Sequence, residues 1–354
     1  MKTVSNIAYT LLGPFTALIL SILVGGIFIL TIGQNPLEVY ARFIGDSLGN
    51  AYGIGQILFK ATPLMFTGLA AAICFKANLF NIGAEGQLTV GAFLTALVGA
   101  YFQGFPAWIL LPLSLFAGMA GGAAWGVIPG YLKARFGAHE VINTIMMNFI
   151  AMGFVSYFIT NIVGVPATVH TPEVAQTTTL ARLESFFPMF HGSPVNLSLF
   201  LALGTCVAAY FFITRTRRGY EIRALGMNAP AAEYARIPIR KNIIIAFALA
   251  GACAGLGGTN FVLGYKHYFE LGFSEGSGFI GIAVALLARN NPLGIIVTSL
   301  FFGLLEYGSL TINTIVPKEL SNILQAIVIL LMITLTKVLG GWIERKRNPV
   351  PVDA

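Results

Sequence analysis

The chain has 354 residues, of which 56% are hydrophobic and only 10% charged, and its mean hydropathy is +0.80. Thirty-five charged side chains, 21 basic and 14 acidic, are too few for a water-soluble surface of this size, since about a quarter of an ordinary soluble domain is charged. The 28 Phe and 12 Tyr exclude disorder, and the 40 Gly follow no Gly-X-Y period, which leaves a chain whose solvent is mostly lipid.

A helix needs about 20 apolar residues to cross ~30 Å of hydrocarbon. Stretches with little or no Asp, Glu, Lys or Arg therefore predict spans at 10–32, 57–75, 87–103, 107–129, 141–163, 195–214, 243–262, 276–288, 291–309 and 321–341, of which three hold a single charge each, Lys60, Glu306 and Lys337. The expectation is an all-α polytopic membrane protein with about ten transmembrane helices. The first span reads as uncleaved, because its charge-free run is too long for a signal peptide and no A-x-A site ends it. The eighth is too short to cross alone and reads as a half-helix or re-entrant piece. Residues 1–341 form one membrane domain, and 342–354 a short cytoplasmic tail.

Orientation follows the basic residues. The segment 215–241 holds Arg215, Arg217, Arg218, Arg223, Arg236, Arg240 and Lys241 against Glu221 and Glu233, whereas the loop 164–194 has only Arg182. Both termini are thus expected in the cytoplasm. The basic pI of 9.4 is a topology signal rather than a nucleic-acid footprint, since no compact basic domain carries it. Cys74, Cys206 and Cys253 have no metal-ligand spacing and read as small buried residues.

Two stripes of small residues predict close helix packing: Ser114, Gly118, Gly122, Gly126 and Gly130 in the fourth span, and Gly251, Gly255 and Thr259 in the seventh. A weak echo links the halves. Phe80–Gln87 and Leu271–Ser277 each place Glu-Gly at the head of an apolar span, with Glu85 expected inside and Glu275 outside, as two inverted five-helix halves would give.

Polar groups within the spans are costly and informative. Asn81, Glu85 and Gln87, among Gly83 and Gly86, either line a pathway or form a capped helix start with Asn81 as the cap. Glu140, Asn143 and Asn148 fall within about 140° of one helix face and either line a polar cavity or bond neighbouring helices. Glu306 and Gln325 are further pathway candidates. In the basic loop, Asn228 caps a short helix of eight or nine residues, Pro230 fits its first turn, and Pro238 stops it. That helix is either a solvated connector or an element that docks on a cytoplasmic partner. No phosphate-binding loop, G-x-S-x-G elbow or paired catalytic site occurs.

At these residues the chain resembles the permease subunits of bacterial ABC importers for nucleosides and simple sugars, a group that also holds ribose and branched-chain amino acid permeases. The resemblance runs from about Pro36 to the tenth span. It rests on Pro63-Leu64 with Thr67–Ala70, Phe80–Gln87, His139–Ala151, Gly226–Ala235 and Phe279–Gly294. Arg236 and Ala288 depart from it, standing where glycine is usual. The resemblance implies a transport subunit, not an enzyme, that binds no cofactor itself. ATP would be hydrolysed on a cytoplasmic ABC ATPase docked at Gly226, Asn228, Ala231, Ala232, Glu233 and Tyr234. Further partners would be a second, different permease, an external substrate-binding lipoprotein and the lipid bilayer of the bacterial inner membrane. Asn143, Asn148 and Phe279 would meet a nucleoside, whose planar base suits amide and aromatic side chains. The rival is a secondary, ion-coupled transporter, which needs an ionisable relay across the bundle.

Overall fold

The computed structural model describes residues 19–334, apart from 21, 318, 319, 321, 324, 325, 328, 332 and 333. The described chain is all helix, with no strand and only isolated bridges at His170–Glu270 and Arg182–Asn196. Among the described residues, six helices are long and apolar enough to cross a membrane, or seven if one sharply bent pair counts as a single span. Most of the tenth predicted span, Gln325 included, and much of the first lie outside the described residues. Two compact units are present, one drawn from the chain up to Asn50 together with the stretch from Leu305 onward, the other Ala51–Leu304.

In the first unit, α1 (Ile22–Thr31) and α2 (Pro36–Leu48) meet at a bend of 120°. Gly33 supplies a left-handed turn at φ +79°, and Asn35 caps α2 by accepting from Leu37 N–H at 3.0 Å, with Pro36 as first helical residue. Ile29, Val39, Ile312 and Val316 form its small core.

The second unit holds α3 (Ala51–Lys76), α4 (Ala84–Tyr101), α5 (Ala107–Phe136), α6 (Glu140–Phe158, extended by a π turn over Ile159–Val163) and α7 (Ser198–Arg215). Then come the short α8 (Arg217–Met227) and α9 (Ala229–Tyr234), α10 (Ile239–Gly257), α11 (Thr259–Val262), α12 (Ser277–Leu287) and the start of α13 (Pro292–Thr311). The two small-residue stripes face each other. A methyl group on Gly122 would lie 2.9 Å from the Gly255 Cα, and one on Gly251 would lie 2.7 Å from the Gly122 carbonyl carbon. Only missing side chains let α5 and α10 come this close, which lets dispersion replace the hydrophobic drive that lipid removes. Gly91 of α4 packs into the same contact, against Gly118 and Gly255. Cys74 and Cys206 are buried and Cys253 partly so, all as free thiols.

Two breaks shape the unit. Pro63 lies inside α3, so the Phe59 carbonyl loses its helical donor. Asn260, just past the α10–α11 break, replaces it, its Nδ2 donating to Phe59 O at 3.1 Å. The Asn260 Oδ1 accepts from Asn196 Nδ2 at 3.1 Å and Ser198 Oγ at 2.9 Å, so the start of α7 joins the same buried knot. The eighth predicted span is α12, whose 11 residues reach about 16 Å, half the depth of a bilayer core.

Candidate functional site

The segment between α3 and α4 must turn back within seven residues. Asn81 makes that turn: its Oδ1 accepts from Gly83 N–H at 3.1 Å, while its Nδ2 donates to Gln87 Oε1 at 3.0 Å. Gly83, not Asn81, takes the cap position of α4. The first N–H groups of a helix have no partner inside it. Here that of Gly86 is taken up by Asn148 Oδ1 at 2.9 Å, and Asn148 Nδ2 donates to Ile82 O at 2.9 Å. Thr144, one turn earlier on α6, accepts from Ile82 N–H at 3.2 Å. A methyl group on Gly86 would lie 3.0 Å from Asn148 Oδ1 and 3.1 Å from the Ala151 Cβ, so glycine lets α6 reach the turn without displacement.

Glu85 completes the cluster. Its carboxylate is buried, accepts from the Ser274 hydroxyl, and accepts from Gly278 N–H at 2.7 Å. Gly278 lies in the first turn of α12, so this acid, itself in the first turn of α4, faces the positive ends of two helices. Thr67 of α3 donates to Ser277 O at 2.9 Å and closes the knot. The two Glu-Gly segments, which the sequence links only as a weak echo, therefore touch. The physical reason is that α12 is half-length, so its first turn is buried beside α4. The alternative of a capped helix start holds for this region in outline, with Asn148 from another helix doing the capping.

The remaining sequence candidates fall elsewhere. Asn143 is partly buried, its Nδ2 without a hydrogen bond, and it stands apart from the Asn148 contacts. Glu140 pairs with Lys133 at 2.7 Å, which ties the start of α6 to the end of α5. Phe279 is half exposed on α12, next to the Glu85 contact. Glu306 lies partly buried on α13, in the other unit. Thr144 and Ser274 had no signal in the sequence beyond being hydroxyls beside recognised polar residues.

The basic segment is more structured than a loop. Thr216 caps α8, accepting from Gly219 N–H at 3.0 Å, and the buried Glu221 is clasped by Arg217 at 3.0 Å and Arg218 at 2.8 Å. Burial pushes the Glu221 carboxyl up, but the neighbouring Asn242 amide together with Arg217 and Arg218 more than offsets this and holds it below the usual carboxylate range. Asn228 caps α9 as expected, accepting from Ala231 N–H at 3.0 Å. The helix is six residues long rather than eight or nine, and Pro238 does not stop it. Its end is a left-handed turn at Arg236, φ +60°, with Arg236 N–H bonded to Glu233 O and Ile237 N–H to Ala232 O. That is the position where glycine is usual in the resembling family, and glycine is the residue this backbone favours. Ala288, the other departure, has an ordinary right-handed φ of −71°, so alanine costs nothing there. Within the docking candidates, Ala232 is only 4% exposed and Gly226 sits where a methyl group would strike the Lys76–Ala77 backbone. Both position the segment. The outward surface is Asn228, Ala231, Glu233 and Tyr234, the last 93% exposed.

Apolar helices cross-linked by buried polar contacts, with a short capped helix packed by Ala232 and otherwise exposed on the basic segment, fit a membrane transport subunit. The family described as "branched-chain amino acid transport system / permease component" matches residues 53–333, and the chain belongs to it. It is a permease subunit of an ABC importer, not an ion-coupled carrier. It is 40% identical over 325 residues to a guanosine ABC transporter permease protein of Bacillus subtilis, covering 90% of this chain and 92% of that one. A nucleoside ABC transporter permease protein of Lactococcus lactis is 34% identical over 332 residues, covering 92% and 91%. A glucose ABC transporter permease protein of Haloferax volcanii is 33% identical over 353 residues, covering 96% and 93%. No solved structure matches the chain.

Proposed function

We propose that this chain forms the translocation path for a nucleoside, or a related sugar-containing solute, in an ATP-driven importer of the bacterial inner membrane. The observation that carries the coupling half of this reading is α9, a helix with a defined cap and a defined stop held at the surface of the chain's most basic segment. A solvated connector needs neither end. A cytoplasmic ABC ATPase, which would bind the ATP, docks on Asn228, Ala231, Glu233 and Tyr234. The chain crosses the membrane ten times with both termini in the cytoplasm, as two inverted halves within residues 1–341, and 342–354 form a tail. It pairs with a second, different permease and receives solute from an external lipoprotein. The substrate assignment rests on the relatives named for guanosine and nucleosides, with the sugar permease as its boundary.

Ala231→Arg tests the docking. It places a long cation on the exposed face of α9 without touching the packed Ala232. The permease should reach the membrane at wild-type level, its ATPase should no longer co-purify, and solute uptake should fall at least tenfold. Undiminished uptake with the ATPase still bound would remove the docking role.

A further inference from the structure

The second predicted span, 57–75, holds Lys60 near its start, and the helix that forms there reaches back to Ala51. α3 has 26 residues, about 39 Å, and Lys60 sits about 14 Å from its first residue, well within a ~30 Å hydrocarbon layer centred on the helix. Apart from Lys76 at the last position, it is the only charge in α3. Its Nζ lies 3.1 Å from Glu275 Oε2. Glu275 holds a left-handed backbone at φ +47°, between Gly272 and Gly276 at φ +83° each, so the turn accepts strain at a non-glycine residue to present this carboxylate.

The pair is not sealed inside the unit: the side chains are 24% and 58% exposed. It closes one end of a polar face. Tyr52, Gln56 and Lys60 recur at intervals of four on α3, with Gln56 Nε2 donating to Tyr52 Oη at 2.8 Å. Phe279 lies one turn beyond Glu275, with half its surface open. From Leu64 to Cys74 every residue of α3 is buried, so the exposed polar face ends at Pro63. Within the hydrocarbon a lipid-facing surface has no use for an amide and a half-open ion pair, whereas the wall of a water-filled path does.

We propose that Tyr52, Gln56, Lys60, Glu275 and Phe279 line the solute path, and that the Lys60–Glu275 pair is a contact for a neutral, hydroxyl-rich solute. The pair carries no net charge. It offers ammonium donors and carboxylate acceptors to vicinal hydroxyls, while the Gln56 amide suits a base edge and the Phe279 ring a base face. Because Glu275 already neutralises Lys60, no uncompensated cation is left to offset the desolvation of a phosphate, so nucleotides are rejected. The ligand rests on the nucleoside reading above, whereas the location of the path does not.

The test is reactivity at Gln56→Cys, Lys60→Cys and Phe279→Cys, each in the complete importer, with buried Ala70→Cys as reference. A membrane-impermeant cationic methanethiosulfonate is applied to intact cells and to inverted vesicles, with and without ATP. Labelling at all three positions should exceed the Ala70→Cys rate at least tenfold in one of these states. Guanosine, and not guanosine monophosphate, should slow it several-fold. Gln56→Cys and Phe279→Cys leave the ion pair intact, so a failure of Lys60→Cys to insert does not void the result. Absence of labelling in every state would overturn the proposal and make the pair a tie between α3 and the 271–276 turn. Labelling slowed by glucose but not by guanosine would keep the path and its neutral solute and refute the nucleoside reading. Labelling that neither solute slows would overturn the contact with solute.

Discussion

Glu85 takes its two donors from Ser274 and Gly278, 189 and 193 positions further along the chain. Its value is structural before it is anything else, because removing it leaves a hydroxyl and a first-turn N–H buried with no acceptor. Glu85→Ala should destabilise the permease by roughly 3 kcal/mol, seen as a lower apparent melting temperature in detergent. Glu85→Gln, which keeps one acceptor oxygen, should fall between. Equal melting of all three proteins would show that the carboxylate contributes nothing to the knot. At this scale the sequence disclosed which residues were polar in an apolar setting, and Asn81, Glu85, Gln87 and Asn148 do meet. It could not disclose that Ser274 and the first turn of α12 supply the partners of Glu85, since nothing local in Leu271–Ser277 encodes contact with a segment nearly two hundred residues away. Lys60 stands near the start of the span expected at 57–75, where a lysine is unremarkable, and only the extension of α3 back to Ala51 puts it at depth.

The elements were legible wherever hydrophobicity alone decided them. α4, α5, α6, α7 and α13 begin within a few residues of their expected starts. α2 and α8 were not foreseen, because each carries charges that interrupt a charge-free run, and their signals were instead the caps Asn35 and Thr216. The stop of α9 was assigned to Pro238 because proline is an obvious breaker, whereas a left-handed arginine leaves no mark in composition. The Pro63 break has a partner that can be tested. If Asn260 is there to satisfy the Phe59 carbonyl, its worth depends on Pro63. Asn260→Leu should cost about 1 kcal/mol less in a Pro63→Ala background, where residue 63 regains an N–H for that carbonyl. Unfolding of the four proteins of this cycle in detergent measures the difference. An identical cost in both backgrounds would mean that Asn260 matters only to Asn196 and Ser198.

For the whole molecule, the sparse charge, the apolar runs and the basic segment 215–241 already pointed to a membrane protein with one face built for a cytoplasmic partner. The family assignment over residues 53–333 agrees with that. The packing of Gly118, Gly122, Gly251 and Gly255 was readable as a stripe, but its direction, α5 onto α10 within one chain, needed the fold. The central claim is that this chain conducts and a separate ATPase drives. The direct measurement is accumulation of radiolabelled guanosine in proteoliposomes containing the second permease and the loaded lipoprotein, with and without the ATPase and ATP. The account predicts an internal concentration well above the external one only when ATPase and ATP are both present, and at most equilibration otherwise. Uphill accumulation in the absence of the ATPase would contradict it.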